Sequence, residues 1–156
     1  GIQMSELINI ESVLNEDLIE LHLKGKNKDE VLKEMVKLLY DNGRIDDYDA
    51  FLEDVYLREE EGLTGIGDAI AIPHGKSDSV KYTSAAVGRL DNDINWNSLD
   101  GKPVRLVIML AIKSFDKTTH IRLLSKIATS LCDKEIVKKL FEVEDKKKVI
   151  SYLSQG

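Results

Sequence analysis

The sequence "VRLVIMLAI", residues 104–112, is almost continuously apolar. A half-exposed strand alternates apolar and polar side chains, whereas a strand covered on both faces is apolar along most of its length. The stretch therefore predicts a central strand in a sheet that has other elements packed on both sides. The preceding residues, 98–103, read "SLDGKP" and have the composition of a turn that leads into this strand.

Further strands are predicted upstream from the spacing of apolar residues. Residues 17–24, "DLIELHLK", alternate apolar and polar side chains, which is the period of a half-buried strand. Residues 83–90, "TSAAVGRL", are predicted to form another strand, which ends at a turn made by "DND", residues 91–93. A short strand is predicted over Ala69–Ile72, after a loop that contains "GLTGIG".

Helical spacing of apolar residues predicts helices between these strands. The first covers residues 27–43, where Asn27 and Glu30 resemble a capping box and Gly43 is placed to end the helix. The second runs from about Asp47 to Glu60 and carries a buried apolar face. Both helices follow strands or precede them closely, as in proteins whose sheets are covered by helices.

The C-terminal part adds one longer helix, over residues 118–132, and two short helices, around 134–141 and 145–153. Strands that alternate with helices indicate the α/β class. The prediction is a single domain over residues 4–154, with a central mixed sheet of about four to five strands flanked by helices on both faces. Residues 1–3 are interpreted as a cloning remnant.

The composition limits the possible classes of protein. The chain has 156 residues, of which 42% are hydrophobic and 32% charged, which suits one globular domain. Its net charge of -6 argues against a nucleic-acid partner, because phosphate backbones repel an acidic surface. A single cysteine, Cys132, excludes an internal disulfide and suits a reducing compartment, so a cytoplasmic location is predicted. No apolar run approaches the ~18 residues of a membrane span, and residues 1–9 lack a signal-peptide pattern, so no membrane insertion is expected.

A histidine in an unusual setting follows the short strand in "GIGDAIAIPHGK", residues 65–76. Because His74 comes after a strand, we expect it at the edge of the sheet, where α/β proteins place their ligand sites. Pro73 fixes its own φ and stiffens the backbone before the imidazole. Gly75 is expected to let the chain turn away and to leave room for a bulky group against the ring. An arbitrary histidine more often lies in an ordinary turn, but these neighbours favour a function for His74.

Two other side chains suit the binding of a phosphoryl group. His120 is predicted in the first turn of a helix, with Thr118 or Thr119 as N-cap, and such a position attracts anions and favours a neutral imidazole. The alternative for His120 is a solvent-facing residue with no such role. Arg58 lies in the last turn of a helix, where a cation suits the dipole, and it stands immediately before the loop that leads to His74.

Other chemistries are disfavoured by the residues present. His22 alternates with charged residues on the polar face of its strand and is interpreted as a surface residue, and Cys132 as a small buried apolar one. Ile70 stands where a dinucleotide-binding fingerprint needs its third glycine, and the sequence lacks the phosphate-binding loop and nucleophilic-serine motifs. Three distant histidines and one cysteine make a poor zinc site, so neither a metal nor a cofactor is expected.

The string "TGIGDAIAIPHGK", residues 64–76, resembles the phosphohistidine motif of the type 2 enzyme IIA domains of the bacterial sugar phosphotransferase system. This fructose/mannitol class also includes the nitrogen-regulatory IIA proteins. The resemblance extends over nearly the whole chain, through "LRE" at residues 57–59, "DGKPV" at 100–104 and "THIRLL" at 119–124. One departure is in residues 59–67, "EEEGLTGIG", because many relatives have a serine before the threonine.

The resemblance implies a phosphotransferase in which His74 carries the phosphoryl group while His120 and Arg58 assist at that group. It implies phospho-HPr as the donor, a sugar-specific IIB domain as the acceptor and a membrane IIC component downstream, in the uptake of fructose or a related hexose or hexitol. A regulatory protein of the nitrogen type and a IIA-like sensor domain of a transcriptional regulator remain as alternatives. Both imidazole nitrogens of His74 remain candidates for the phosphoryl group.

Overall fold

The computed structural model describes residues 10–116 and 119–155 of the chain. Within these ranges the strands are β1 (Ile19–Leu23), β2 (Gly65–Gly67), β3 (Ile70–Ala71), β4 (His74–Ser77), β5 (Ser84–Ile94) and β6 (Val104–Lys113). The helices are α1 (Lys28–Asp41), α2 (Tyr48–Glu61), α3 (Thr119–Ser130), α4 (Lys134–Glu142) and α5 (Lys146–Leu153). Residues 10–13 are also helical, and a short 3₁₀ helix, Glu16–Leu18, leads into β1.

The strands form one mixed sheet in the order β1-β5-β6-β3-β2, with β4 also paired to β6. β1 runs parallel to β5, β5 runs antiparallel to β6, and β3 and β4 both run parallel to β6. The predicted α/β class and mixed sheet are confirmed. The described sheet has six strands, more than the predicted four to five, because residues 65–77 contain three short strands where one was expected.

Side chains on both faces of the central strands are covered. Consecutive residues of β6, Leu106 and Val107, are at most 1% exposed, although successive side chains of a strand point to opposite faces. In β5, a side chain on Gly88 would touch Met35 of α1, whereas Arg89 donates a hydrogen bond to the carbonyl of Leu140 in α4. Helices therefore cover both faces of the sheet, and the central position predicted for residues 104–112 is confirmed.

The predicted ends of α1 agree with the structure, with one difference. The Asn27 side chain accepts a hydrogen bond from the Glu30 amide at 2.8 Å, and Gly43 has a φ of 71° where the helix ends. The Glu30 carboxylate, however, accepts from the amide of Lys26 at 2.9 Å, one residue before the N-cap. The result is a capping box shifted by one position, which still satisfies two amides at the start of the helix.

The predicted turn at residues 91–93 is wrong, since β5 continues through it to Ile94. Each charged side chain of this segment has a partner on a neighbouring strand or just beyond it. Asp91 accepts a hydrogen bond from Lys24, and Asp93 lies 3.2 Å from the guanidinium of Arg105. These contacts hold a polar extension of the strand alongside β1 and β6, which local composition does not reveal.

The C-terminal helices lie where they were predicted. α3 and α4 both pack against α5, and the buried side of α3 includes Leu123, Leu124 and Ile127. Cys132 is exposed, so the prediction that it is buried is wrong; it follows the last turn of α3 and is directed to solvent. No helix in the described part of the chain combines the length and apolar character needed to span a bilayer.

Candidate functional site

His74 lies at an interruption between two short strands that pair with the same neighbour. β3 ends at Ala71, Pro73 has no amide hydrogen to donate, and β4 begins at His74. The Pro73 carbonyl accepts a hydrogen bond from Leu110 of β6 at 3.0 Å, so the chain stays in the sheet across the break. His74 therefore follows the end of β3, as the sequence predicted, but it is also the first residue of a further strand, β4, which the sequence did not predict.

Both nitrogens of the His74 ring have polar partners, and the partners fix the position of its proton. Nδ1 lies 3.2 Å from the carbonyl oxygen of Ile72, which can only accept a hydrogen bond. Nε2 lies 3.1 Å from Nε of Arg58, which can only donate one. The half-buried ring is therefore a neutral imidazole with its proton on Nδ1 and its lone pair on Nε2.

Arg58 reaches His74 from the last turn of α2. Its Nη1 donates to the carbonyl of Gly62 at 3.2 Å, and its Nε is 4.0 Å from the carboxylate of Glu61. The side chain is 29% exposed, so part of it remains accessible from solvent. The structure thus brings Arg58 into direct contact with His74, as their proximity to one loop had suggested.

The close packing of α2 on β4 makes this contact possible. A Cβ on Gly75 would lie 3.0 Å from the Phe51 ring and 3.3 Å from a methyl group of Val55, both on α2. The expectation that Gly75 leaves room for an incoming group is therefore wrong. Its missing side chain lets the helix approach the strand, and Arg58 follows Val55 by about one helical turn.

His120 lies in the first turn of α3, as predicted. Its side chain is 44% exposed, and Nδ1 is 3.9 Å from a carboxylate oxygen of Asp116. A cleft of about 320 Å³ beside it is also lined by Lys81, Lys113 and Phe115. The proposed N-cap Thr118 lies outside the described residues, as does the side chain of Thr119.

A buried polar cluster, which the sequence did not reveal, lies beneath the loop between α2 and β2. Thr64 is 3% exposed, and its hydroxyl donates to Oε1 of Glu59 at 2.9 Å and accepts from Nε1 of Trp96 at 2.9 Å. Lys28 places its ammonium group 2.6 Å from the same Glu59 oxygen and 5.2 Å from the centre of the Trp96 ring. Glu59 and Thr64 stand in the quoted motifs, but Lys28 and Trp96 are too distant in sequence to be associated with them.

Exposed aliphatic side chains border the same loop. They are Leu57 on α2, Leu63 in the loop, Ile66 in β2 and Leu99, whose amide bonds the Gly65 carbonyl. Their exposed fractions range from 44% for Ile66 to 70% for Leu99. We call these four residues the aliphatic rim. In the described part of the chain, no three His, Cys, Asp or Glu side chains are grouped so as to hold a metal ion.

Comparisons with known proteins agree on one family. The profile of the family described as "Phosphoenolpyruvate-dependent sugar phosphotransferase system, EIIA 2" matches residues 12–156. The PTS system fructose-specific EIIABC component of Bacillus subtilis (strain 168) is 37% identical over 148 residues, which are 95% of this chain and 23% of that protein. The PTS system fructose-specific EIIA component of Haloferax volcanii is 31% identical over 150 residues, which are 96% of this chain and 97% of that protein.

A solved structure supports the same conclusion. The nitrogen regulatory protein IIA-Ntr from Neisseria meningitidis superposes with a TM-score of 0.82 at 29% identity, covering 92% of this chain and 98% of that one. The fold, the histidine motif and the family profile agree, and the resemblance predicted from residues 64–76 is confirmed. The chain belongs to the EIIA 2 family of the phosphoenolpyruvate-dependent sugar phosphotransferase system.

Proposed function

We propose that this chain is a phosphoryl carrier that accepts a phosphoryl group from phospho-HPr on Nε2 of His74 and passes it to a sugar-specific IIB domain. The state of the His74 ring carries the proposal. Its proton is held on Nδ1 by the Ile72 carbonyl, so the lone pair needed for attack on phosphorus is on Nε2. A neutral imidazole in a fixed tautomer is ready to react without first losing a proton.

In the proposed reaction, Nε2 forms a bond to phosphorus as the phosphorus–nitrogen bond to the donor histidine breaks. The imidazole of His74 gains positive charge as the bond forms, and the Ile72 carbonyl stabilises that charge through the proton on Nδ1. Transfer to the acceptor reverses these roles. Since the phosphoryl group arrives in reactive form on the donor histidine and leaves on an acceptor side chain that has yet to receive it, the site supplies position and charge rather than a cofactor.

Arg58 would act at two stages of this reaction. In the resting structure its Nε–H group occupies the lone pair of Nε2, so this hydrogen bond must open before His74 can attack. The released guanidinium is then beside the incoming group, where its planar set of donors suits phosphoryl oxygens. His120 would donate a further hydrogen bond to these oxygens from the start of α3, where the helix dipole favours negative charge.

The aliphatic rim supports docking of another protein around His74. Protein-to-protein transfer requires a partner surface to cover the reacting atoms and exclude water, and exposed aliphatic groups favour such contacts. HPr and the IIB domain would use this surface in turn, in the cytoplasm, with a membrane IIC component downstream. Fructose or a related sugar is supported by the names of the Bacillus subtilis and Haloferax volcanii relatives.

A regulatory role of the nitrogen type is the second candidate, favoured by the similarity to the Neisseria meningitidis protein. In that role the same phosphorylated His74 would control partner binding. A fructose-class IIB domain distinguishes the two functions: a carrier transfers its phosphoryl group to that domain rapidly, whereas a regulator retains it.

The proposed function is tested by incubating the protein with phosphoenolpyruvate, HPr and the kinase that phosphorylates HPr. Intact-mass measurement should show the gain of one acid-labile phosphoryl group. His74→Gln should abolish the gain, whereas the matched control His22→Gln, at a surface histidine paired with Asp91, should leave it unchanged. Full phosphorylation of the His74→Gln protein would refute the assignment.

A further inference from the structure

We propose that Thr64 is a positioning residue, which fixes the reactive tautomer of His74 through the peptide of Ile72. The inference rests on the proposed function, because it concerns the same histidine. Thr64 joins the buried cluster of Glu59, Trp96 and Lys28 to the backbone that holds the imidazole.

The backbone of Thr64 provides the first link. Its carbonyl accepts a hydrogen bond from the Ile72 amide at 2.9 Å, and the Ile72 carbonyl in turn accepts from Nδ1 of His74. Because the next residue is Pro73, no amide hydrogen at that position holds the strand in the sheet. The Ile72 carbonyl is therefore held by the hydrogen bonds on either side of it, that of the Ile72 amide to Thr64 upstream and that of the Pro73 carbonyl to Leu110 downstream.

The side chain of Thr64 provides the second link. Its hydroxyl is the hydrogen-bond bridge between Glu59 and Trp96, with both distances at 2.9 Å. Glu59 stands next to Arg58 in the last turn of α2. The same hydroxyl therefore ties together the two elements that contact the His74 ring: the Ile72 carbonyl at Nδ1 and the Arg58 guanidinium at Nε2.

The buried carboxylate of Glu59 indicates that this cluster has a role other than stabilising the fold. The Glu59 side chain is only 10% exposed, and its Oε2 is buried without a hydrogen-bond partner among the described residues. Burial of such an oxygen is unfavourable, and an apolar side chain would avoid it. The carboxylate provides a strong acceptor that orients the Thr64 hydroxyl, with Lys28 supplying the compensating charge.

The test compares Thr64→Val, which removes the hydroxyl at nearly constant volume, with Thr64→Ser, which restores it. Long-range ¹H–¹⁵N NMR of labelled histidines reports the tautomer of His74 without any phosphoryl transfer. We expect one tautomer, with the proton on Nδ1, in the wild type and in Thr64→Ser, and a mixture in Thr64→Val. Since tautomer and transfer are measured separately, a wild type that fails to accept phosphate would refute the proposed function and leave this test intact.

Single-turnover transfer from phospho-HPr provides the second readout. Thr64→Val should lower the maximal rate roughly ten- to hundredfold, by analogy with the loss typical when the groups that orient a metal-ligating histidine are removed. The concentration of phospho-HPr at half-maximal rate should change little, and Thr64→Ser should recover most of the rate. Thr64→Ala, which leaves space for a water molecule, replaces the valine variant if that variant does not fold. A folded variant without the hydroxyl that keeps the wild-type tautomer and rate would overturn the proposal.

Discussion

The contact between α2 and β4 makes Gly75→Ala a sensitive test of how the site is assembled. The new methyl group would lie 3.0 Å and 3.2 Å from two carbons of the Phe51 ring and 3.3 Å from a Val55 methyl group. Carbon atoms in favourable contact are about 3.5–4.0 Å apart, so the helix and the strand must separate by several tenths of an ångström.

The expected loss of stability is modest, because two effects oppose each other. Overpacking of a close contact costs about 1–3 kcal/mol, whereas replacing glycine within a strand by alanine recovers about 0.5–1 kcal/mol. The net destabilisation is then about 0–2.5 kcal/mol, or a fall in Tm of at most roughly 10 °C for a domain of this size.

The effect on phosphoryl transfer should be larger than the effect on stability. Arg58 follows Val55 on the displaced helix, and its 3.1 Å contact with Nε2 of His74 depends on that packing. A misplacement of about 1 Å can cost on the order of a hundredfold in rate, so a smaller shift should slow transfer about tenfold. Quench-flow transfer from phospho-HPr, beside a thermal melt, measures both quantities.

A second substitution distinguishes the clash between residue 75 and Phe51 from a nonspecific loss of stability. Phe51→Leu removes the ring atoms nearest to Gly75. The double variant should therefore be destabilised by less than the sum of the destabilisations of the two single variants. It should also regain part of the transfer rate. Additive free energies, together with wild-type transfer in Gly75→Ala, would show that the α2–β4 contact does not position Arg58.

Three further outcomes are expected. Arg58→Lys should leave Tm almost unchanged but slow transfer at least several-fold, because Lys lacks the planar set of donors. Equal transfer rates in quench-flow would show that Arg58 only stabilises the C-terminal end of its helix. His120→Ala should still accept phosphate but pass it to the IIB domain roughly a hundred- to thousandfold more slowly, which corresponds to about 2.7–4 kcal/mol in activation free energy. Unchanged transfer would show that His120 is a surface residue with no role in the reaction. A hydrogen bond from Tyr56, with a smaller effect from a hydrogen bond that Lys33 donates, holds the pKa of Asp29 below its usual 3.8. The ionised Asp29 therefore stabilises the folded state above pH 3.8, and this stabilisation is lost as the pH falls through the lowered pKa. Urea unfolding should therefore show a stability gap between wild type and Asp29→Asn that shrinks in acid, and a gap independent of pH would contradict this.

Elements that depend on local pattern were predictable from the sequence. The continuous apolar run of β6 marked a strand buried on both faces, and Asn27 and Gly43 marked the ends of α1 because caps act within one turn. His74 was identified from its immediate neighbours. Arg58 was associated with it through the short loop between them, and the hydrogen bond between the two side chains agrees with that reasoning.

Features that depend on distant contacts were not predictable in this way. β2, β3 and β4 are too short and glycine-rich to show a period, and β3 and β4 are defined by their pairing with β6. Gly75 looked like a turn residue because nothing in the sequence shows that Phe51 lies against it. The cluster around Thr64 joins Lys28 and Trp96, which are far apart in the sequence, so local spacing gives no sign of it.

The central claim is that Nε2 of His74 is the atom that carries the phosphoryl group. Protein labelled with ¹⁵N in its histidines, phosphorylated by phospho-HPr and studied by long-range ¹H–¹⁵N and ³¹P NMR, tests this directly. We predict phosphorus bonded to Nε2 of His74, the proton retained on Nδ1 against the Ile72 carbonyl, and no phosphorus on His22 or His120. A phosphoryl group on Nδ1 of His74, or on either of the other two histidines, would contradict the account.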